Sequence, residues 1–175
     1  MAGIDETKPF VPLGIAVLTV SDTRTLADDR SGDMLAARIA DAGHRLAARA
    51  IVPDDTVAIV SQLVAWCDGD AADVVLTTGG TGLAPRDVTP EATRAVLERD
   101  APGIAERIRL FCLTSFPRAA LSRGIAGVRG RTLVVNLPGS TSGVRDALAA
   151  LEPIIDHARA IVRDEPTDHS PGRPR

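Results

Sequence analysis

Short apolar runs alternate along this chain with segments of helical periodicity. Residues 14–21 form a continuous apolar run rich in β-branched side chains. Residues 47–52 are predicted as a second strand, and residues 73–78, which contain the short apolar stretch 73–76, as a third. A continuously apolar run is typical of a central parallel strand that is covered on both faces. Because strands that alternate with helices assemble into a sheet between helix layers, the pattern predicts an α/β protein, a three-layer α/β/α sandwich with a mostly parallel central sheet.

The predicted helices lie between these runs. Leu35, Ile39 and Ala42 recur at the spacing of one helix face, with Ser31 and Gly43 as candidate caps. This pattern predicts the first helix.

Two later helices carry start signals of their own. Pro53-Asp54-Asp55 opens the second, and Thr89-Pro90-Glu91 opens the third, with threonine as N-cap and proline at the first position. The third helix is expected to run to about Arg99. Beyond it, the sequence predicts a helix over residues 103–116, strands over 124–128 and 132–137, and a last helix that Pro153 should kink or divide.

Length and charge restrict the domain organisation and the partners. The 175 residues suit one domain, predicted over residues 12–163 between a flexible N-terminus, 1–11, and a disordered, proline-rich tail, 164–175. With a net charge of −3 and mixed signs, the chain has no broad basic surface for nucleic acid or a membrane. It also lacks an export signal and a long apolar stretch, so a cytoplasmic location is expected. Cys67 and Cys112 lack metal or redox spacing and are expected to be reduced core thiols.

A glycine-rich loop follows the third predicted strand. Thr77-Thr78-Gly79-Gly80-Thr81-Gly82 combines three glycines with threonine hydroxyls, which suits close backbone approach to anionic oxygens. A Walker loop is excluded because Leu83 follows the last glycine and the only lysine is Lys8. The spacing also differs from the dinucleotide fingerprint. A phosphate site is predicted, and a plain glycine turn remains the alternative.

Polar residues follow several of the predicted parallel strands. Ligands bind at the carboxyl ends of such strands, so the loops after Val20, Val52, Thr78 and Leu137 should meet at one edge. That edge collects Ser21, Asp22, Asp54, the glycine loop, Asp87, Pro138, Gly139 and Ser140.

Asp54 and Asp87 are the candidate metal ligands at this edge. Mg²⁺ commonly takes one or two carboxylates together with substrate phosphate oxygens. Two plainer roles remain open: Asp54 or Asp55 as an N-cap, and Asp87 as a turn residue.

Three further residues are weaker candidates for ligand contact. Ser140 is a candidate hydroxyl donor or a helix cap. Ser122-Arg123 offers a guanidinium that suits phosphate, although an arginine can equally be solvated surface. The histidines, at positions 44, 157 and 169, show no common spacing, so neither a zinc site nor a His-based triad is supported.

An ordered set of motifs runs through residues 12–163. They are Thr19-Val20-Ser21-Asp22, Asp29-x-Ser31-Gly32, Ala42-Gly43-His44, Pro53-Asp54, residues 76–82, Arg86-Asp87-Val88-Thr89-Pro90-Glu91-Ala92, Ser122-Arg123 and Leu137-Pro138-Gly139-Ser140. In these motifs the chain resembles the molybdopterin adenylyltransferases, the MogA and MoaB proteins and the related gephyrin G domain.

This resemblance implies Mg-ATP-dependent transfer of AMP onto molybdopterin, with release of pyrophosphate, which prepares the pterin for a downstream molybdenum-insertion enzyme. It also implies a homotrimer or a pair of trimers. Asp54 and Asp87 match the family's essential acidic positions, with magnesium binding as their implied role. The nucleotide and pterin pockets would use Ser21, Asp22, Thr78, Gly79, Gly80, Thr81, Gly82, Ser122, Arg123, Pro138, Gly139 and Ser140.

Two other functions remain to be separated from adenylyl transfer. The fold can also serve as a non-catalytic pterin carrier or scaffold, against which the presence of both Asp54 and Asp87 argues. A phosphohydrolase could use the same metal and phosphate edge, but the sequence offers no clear general base for water.

Overall fold

The structure is a computed structural model and describes residues 10–165. The predictions of a flexible N-terminus and a disordered tail concern mainly residues 1–9 and 166–175, which lie outside the described part. The six strands are β1 Gly14–Val20, β2 Arg45–Val52, β3 Val74–Thr78, β4 Arg99–Asp100, β5 Ala126–Arg129 and β6 Thr132–Leu137. The helices are α1 Arg30–Asp41, α2 Thr56–Asp68, α3 Thr89–Val96, α4 Pro102–Leu113 and α5 Thr141–Val162, with a 3₁₀ helix at Pro117–Leu121.

The strands form one sheet in the order β2-β1-β3-β6-β5-β4. Strands β2, β1, β3 and β6 are parallel to one another. At the other edge, β5 pairs antiparallel with both β6 and β4. Gly130, with a φ of 55°, lies in the two-residue connection between β5 and β6 and supplies the positive φ that tight hairpins favour. The prediction of a mostly parallel α/β sheet is confirmed.

Side chains of the central strands alternate between two apolar layers, as the pleat requires. On β1, Ile15 and Val17 pack into the layer that contains α1, α4 and α5. Ala16, Leu18 and Val20 pack into the opposite layer, which contains α2 and α3. The sheet is therefore buried between two helix layers, which confirms the three-layer sandwich.

The helix caps differ from those predicted at two helices. Asp29, not Ser31, caps α1 by accepting a hydrogen bond from the N–H of Gly32 at 3.0 Å. Thr89 is the first residue of α3 rather than its cap, because its hydroxyl donates to the carbonyl oxygen of Gly79 at 2.9 Å. At α2 the cap is Asp55, which leaves Asp54 available for another role. The Thr89 side chain thus bonds to the glycine loop instead of capping its own helix.

The predicted end of the third helix was also wrong, as was one of the two alternatives for the last helix. The third helix ends at Val96, because Arg99 and Asp100 form β4 against β5. The last helix is not divided at Pro153 but continues from Thr141 to Val162. Proline removes the N–H that would bond the carbonyl oxygen of Ala149, and Arg107 Nε donates to the neighbouring carbonyl oxygen of Ala150 at 2.7 Å.

Both cysteines are buried and free, as predicted. Burial raises the pKa of the Cys67 thiol to about 11. Across residues 10–165, no helix has the length and apolar character needed to cross a membrane.

Candidate functional site

An open cavity of about 240 Å³ lies at the carboxyl ends of the parallel strands. Its lining brings together the loops that follow β1, β2, β3 and β6, which is the edge identified from the sequence. The lining residues are Thr19, Val20, Ser21, Thr23, Arg24, Ser31, Asp54, Thr78, Gly79, Gly80, Arg86, Asp87 and Gly139.

Two glycines of the loop after β3 have a conformation and surroundings that exclude side chains. Gly79 and Gly80 have φ values of 101° and 64°, in the left-handed region that other residues rarely adopt. A Cβ at Gly79 would lie 2.3 Å from the carbonyl oxygen of Val20, and one at Gly80 would lie 2.3 Å from Thr89 Oγ1. The loop is thus pressed against β1 and α3, and its backbone faces the cavity.

Replacing Gly79 by alanine is expected to lower the free energy of unfolding by about 1–3 kcal/mol, since positive φ and a backbone clash both oppose the new side chain. Urea unfolding monitored by circular dichroism measures the change. Gly103 in α4 is the matched control, because a Cβ there meets nothing within 4 Å. Alanine at Gly103 should leave stability unchanged or raise it by up to about 1 kcal/mol. Equal effects at the two sites would contradict the proposed strain.

Asp54 lies between the end of β2 and the cap of α2, in a loop that is tied to the loop after β1. The Asp54 N–H donates to Asp22 Oδ1 at 2.9 Å, and the Asp22 N–H donates to Asp54 Oδ2 at 3.2 Å. Burial and the charge of Asp22 raise the pKa of Asp54, with a further contribution from Asp87, while Arg86 opposes the shift. Burial and the neighbouring carboxylates therefore disfavour the charged form of Asp54.

Asp87 lies on the connection between the glycine loop and α3. Its Oδ2 accepts a hydrogen bond from the Ala84 N–H at 2.8 Å, and its own N–H donates to the Ala84 carbonyl oxygen at 2.9 Å. Asp87 is thus a turn residue, as the plainer alternative held. Because it also lines the cavity beside Arg86, the turn role does not remove it from the site.

The surroundings of these two carboxylates suit a divalent cation. The raised pKa of Asp54 arises in part from neighbouring carboxylates, a repulsion that a bound cation would relieve. Within residues 10–165 there is no cluster of three or more His, Cys, Asp or Glu residues that could hold a metal on their own. Mg²⁺ held by Asp54 and Asp87 would therefore need phosphate oxygens or water as further ligands, which is its usual preference.

Replacing Asp54 by asparagine is expected to raise the stability of the unliganded protein at neutral pH. A carboxyl group whose pKa is higher in the folded than in the unfolded protein stabilises the fold at pH values below its unfolded pKa of about 3.9. This stabilisation is lost as the pH rises through the pKa of the folded protein. The gain of the variant should therefore vanish in acid. Urea unfolding at pH 7 and near pH 3.5 measures it. Asp55→Asn is the control, because asparagine caps helices as well as aspartate does, and an equal gain there would contradict the assignment.

Arg24 and Ser31 form the part of the cavity nearest α1, and neither was predicted as a site residue. Ser31 Oγ donates to the carbonyl oxygen of Gly139 at 2.8 Å, and Arg24 Nη1 donates to Ser31 Oγ at 3.2 Å. The Arg24 N–H also donates to Ser21 Oγ at 3.3 Å. The sequence position of Arg24, just after Ser21-Asp22 in a loop already assigned to this edge, could have identified it as a site residue. The position of Arg86 next to Asp87 could have done the same.

Beneath the cavity lies a buried carboxylate that sequence reasoning noted only as part of a motif. Asp29 is fully buried and accepts hydrogen bonds from Thr19 Oγ1 at 2.6 Å and from Arg49 Nη2 at 3.0 Å. Burial raises the pKa of Asp29, but the bonds from Thr19, Gly32 and Arg49 outweigh this and hold it below its usual range. This network fixes the start of α1 against β1 and β2.

The predicted site residues fall into two sets. Those lining the cavity are Ser21, Asp54, Thr78, Gly79, Gly80, Asp87 and Gly139. Those outside its lining are Asp22, Thr81, Gly82, Ser122, Arg123, Pro138 and Ser140. Ser140 is exposed and caps α5 by accepting from the Gly143 N–H at 3.1 Å, while Asp22 is held by Asp54. Ligand contact by any of these residues stays a prediction.

A family model described as "Probable molybdopterin binding domain" matches residues 16–157. The "Molybdenum cofactor biosynthesis protein B" of Escherichia coli K12 is 41% identical over 139 residues, which cover 79% of this chain and 82% of that protein. The "Molybdopterin adenylyltransferase" of Helicobacter pylori J99 is 44% identical over 112 residues, 64% of each chain. The Drosophila melanogaster "Molybdenum cofactor synthesis protein cinnamon" is 41% identical over 85% of this chain, which spans only 25% of that protein.

Solved structures show the same fold. The crystal structure of the molybdopterin biosynthesis enzyme MoaB from Thermus thermophilus superposes with a TM-score of 0.81 at 45% sequence identity. The match covers 89% of this chain and 99% of that one.

Proposed function

This chain belongs to the molybdenum cofactor biosynthesis family of probable molybdopterin binding domains, and from that premise we propose that it is a molybdopterin adenylyltransferase. In the proposed reaction, the terminal phosphate of molybdopterin attacks the α-phosphate of ATP, AMP is transferred and pyrophosphate leaves. The name of the Helicobacter pylori relative supports this choice of reaction.

One observation carries the proposal: Asp54 and Asp87 line the same cavity as Gly79 and Gly80 of the glycine loop. A Cβ at Gly80 would lie 3.1 Å from Asp54 Oδ1, and a Cβ at Gly82 would lie 2.8 Å from Asp87 Oδ2. Both carboxylates therefore lie close to the backbone that is proposed to hold the nucleotide phosphates. A metal and a phosphate could be bound together at such a place.

The residues of the cavity supply positioning and charge compensation. The loop backbone at Gly79 and Gly80 would hold phosphate oxygens, with Arg24 and Arg86 as cations at the same cavity. Asp54 and Asp87 would hold Mg²⁺, which when bound neutralises charge that develops on the transferring group. Phosphoryl-type transfer asks the protein mainly for these two contributions, so no protein nucleophile is required.

The test is an assay of the purified chain with Mg²⁺, molybdopterin and ATP labelled at the α-phosphate. We expect the label to appear in adenylyl-molybdopterin together with free pyrophosphate, and we expect chelation of Mg²⁺ to stop the reaction. Binding of the pterin with no consumption of ATP would establish the carrier function instead. Release of inorganic phosphate without labelled pterin would establish a phosphohydrolase.

We further propose that the chain assembles as a homotrimer, or as a pair of trimers, as the family resemblance implies. Exposed apolar side chains occur in this part of the chain: Leu110 and Phe111 on α4, Phe116 in the connection that follows, and Leu121 at the end of the 3₁₀ helix. Such side chains suit contact between subunits. Sedimentation velocity at micromolar concentration should show a species of three chains of 18.3 kDa each, or twice that mass. A monomeric profile would reject the assembly.

A further inference from the structure

Arg123 contacts the segment that carries the glycine loop and Asp87. Its Nε donates to the carbonyl oxygen of Gly82 at 2.7 Å, and its Nη2 donates to the carbonyl oxygen of Asp87. Its Nη1 forms a hydrogen-bonded ion pair with Glu91 in the first turn of α3. The backbone N–H of Arg123 donates to the carbonyl oxygen of Thr81 at 2.8 Å. Four bonds thus join one residue to both ends of the segment 81–91.

The arrangement uses properties that are specific to arginine. A guanidinium is a planar fork with donors pointing in several fixed directions, so it can hold two carbonyl oxygens and a carboxylate at once. An ammonium group is a point charge on a flexible stem and cannot reproduce this geometry. The bond from Arg123 is also the main reason that the pKa of Glu91 lies below its usual range.

Arg123 is itself anchored to the body of the domain. Arg109, on α4, donates from Nη1 to the carbonyl oxygen of Gly124 at 2.7 Å and to that of Ser122 at 3.4 Å. Gly124 is buried. The residues on either side of Arg123 are therefore fixed to α4, so the bonds from its side chain connect a rigid part of the protein to the loop.

We infer that Arg123 is a positioning residue, which holds residues 81–88 so that the Asp87 carboxylate and the glycine loop face the cavity together. This rests on the proposed function for its catalytic consequence and differs from the ligand contact predicted from the sequence. Arg123 acts through Asp87, so its loss should lower kcat with little change in the KM for molybdopterin. A displacement of about 1 Å at such a site costs about 10²-fold in rate.

Arg123→Lys is the test variant, and Arg118→Lys is its matched control. Arg118 is an exposed residue of the 3₁₀ helix, and its guanidinium lies over the ring of Phe116 at 5.2 Å. For Arg123→Lys we expect a fall in kcat of about 10²-fold, with faster amide hydrogen exchange confined to peptides that cover residues 81–88. Neither quantity should change in Arg118→Lys.

Chemical rescue separates positioning from general damage to the fold. In Arg123→Ala, millimolar guanidinium should restore part of kcat and slow the exchange of residues 81–88, since it can refill the space between the two carbonyl oxygens and Glu91. A rise in KM with kcat unchanged would show that Arg123 binds substrate, and unchanged exchange would show that it does not hold the loop. Either result overturns the inference. If the wild-type chain forms no adenylyl-molybdopterin, the proposed function fails, but the exchange comparison still decides the role of Arg123.

Discussion

Asp87→Ala is expected to abolish turnover of Mg-ATP and molybdopterin while leaving the fold intact. Loss of one of the two proposed metal ligands would remove several kcal/mol of charge stabilisation, which corresponds to about 10³-fold in rate or more. The fold should survive because Asp87 is only half-buried and its carboxylate closes one local turn. The measurement is the initial rate of adenylyl-molybdopterin formation, together with a urea unfolding curve.

Asp87→Asn separates the two roles of this side chain. Asparagine keeps an oxygen that can accept from the Ala84 N–H, so the turn should persist, but it removes the charge that a metal requires. Its activity should therefore be as low as that of Asp87→Ala. Asp28→Asn is the matched control, since Asp28 closes an exposed turn by accepting from the Thr25 N–H at 2.5 Å, and it should be fully active. Unchanged turnover in Asp87→Ala would refute the proposed role of this carboxylate.

Asp29→Ala is expected to lower the free energy of unfolding by about 3–5 kcal/mol. The change removes the buried partner of Arg49 and leaves a partly buried guanidinium, the Thr19 hydroxyl and the Gly32 N–H without their acceptor. Because the folded pKa of Asp29 lies below its usual range, its stabilising contribution is present above the unfolded pKa and is lost as pH falls through the folded value. Urea unfolding at pH 7 and in acid measures both effects.

Asp33 provides the control for this prediction. It binds the same arginine, with Arg49 Nη1 donating to Asp33 Oδ1 at 2.7 Å, but its side chain is 59% exposed whereas that of Asp29 is fully buried. Removing an exposed carboxylate from such a pair costs at most about 1 kcal/mol. Equal losses of unfolding free energy in Asp29→Ala and Asp33→Ala would show that burial does not determine how much the Asp29 carboxylate stabilises the protein.

The positions of the central strands followed directly from the sequence. The predicted strands at 14–21, 47–52 and 73–78 match β1, β2 and β3 to within a few residues. The central strands β1 and β3 are buried along their whole length, and the apolar character that this burial requires can be read from one segment. The edge strand β2 is only partly buried and carries Arg45 and Arg49. The short strand β4 had no comparable signal, because Arg99 and Asp100 are exposed and pair only through the backbone.

The polar residues of the site were harder to assign than the strands. Asp54 and Asp55 are adjacent and identical in type, yet Asp55 caps α2 while Asp54 faces the cavity. Serine is a residue type that often caps helices, yet the Ser31 hydroxyl donates to the carbonyl oxygen of Gly139, which is 108 residues away in the sequence. For each of these side chains a local and a distant partner were both available, and sequence spacing shows only the local one.

Local patterns in the sequence are sufficient for the α/β alternation, the edge of the sheet at which the candidate site lies, and the glycine loop, because apolar periodicity and glycine content act over a few residues. Three other features emerge only when the chain is folded: Gly79 and Gly80 exclude any side chain, Asp29 is buried beside Arg49, and the Arg123 side chain binds the loop of Asp87. A hydrogen bond or a steric clash depends on which atoms lie within about 3 Å, and the packing of distant segments sets those distances.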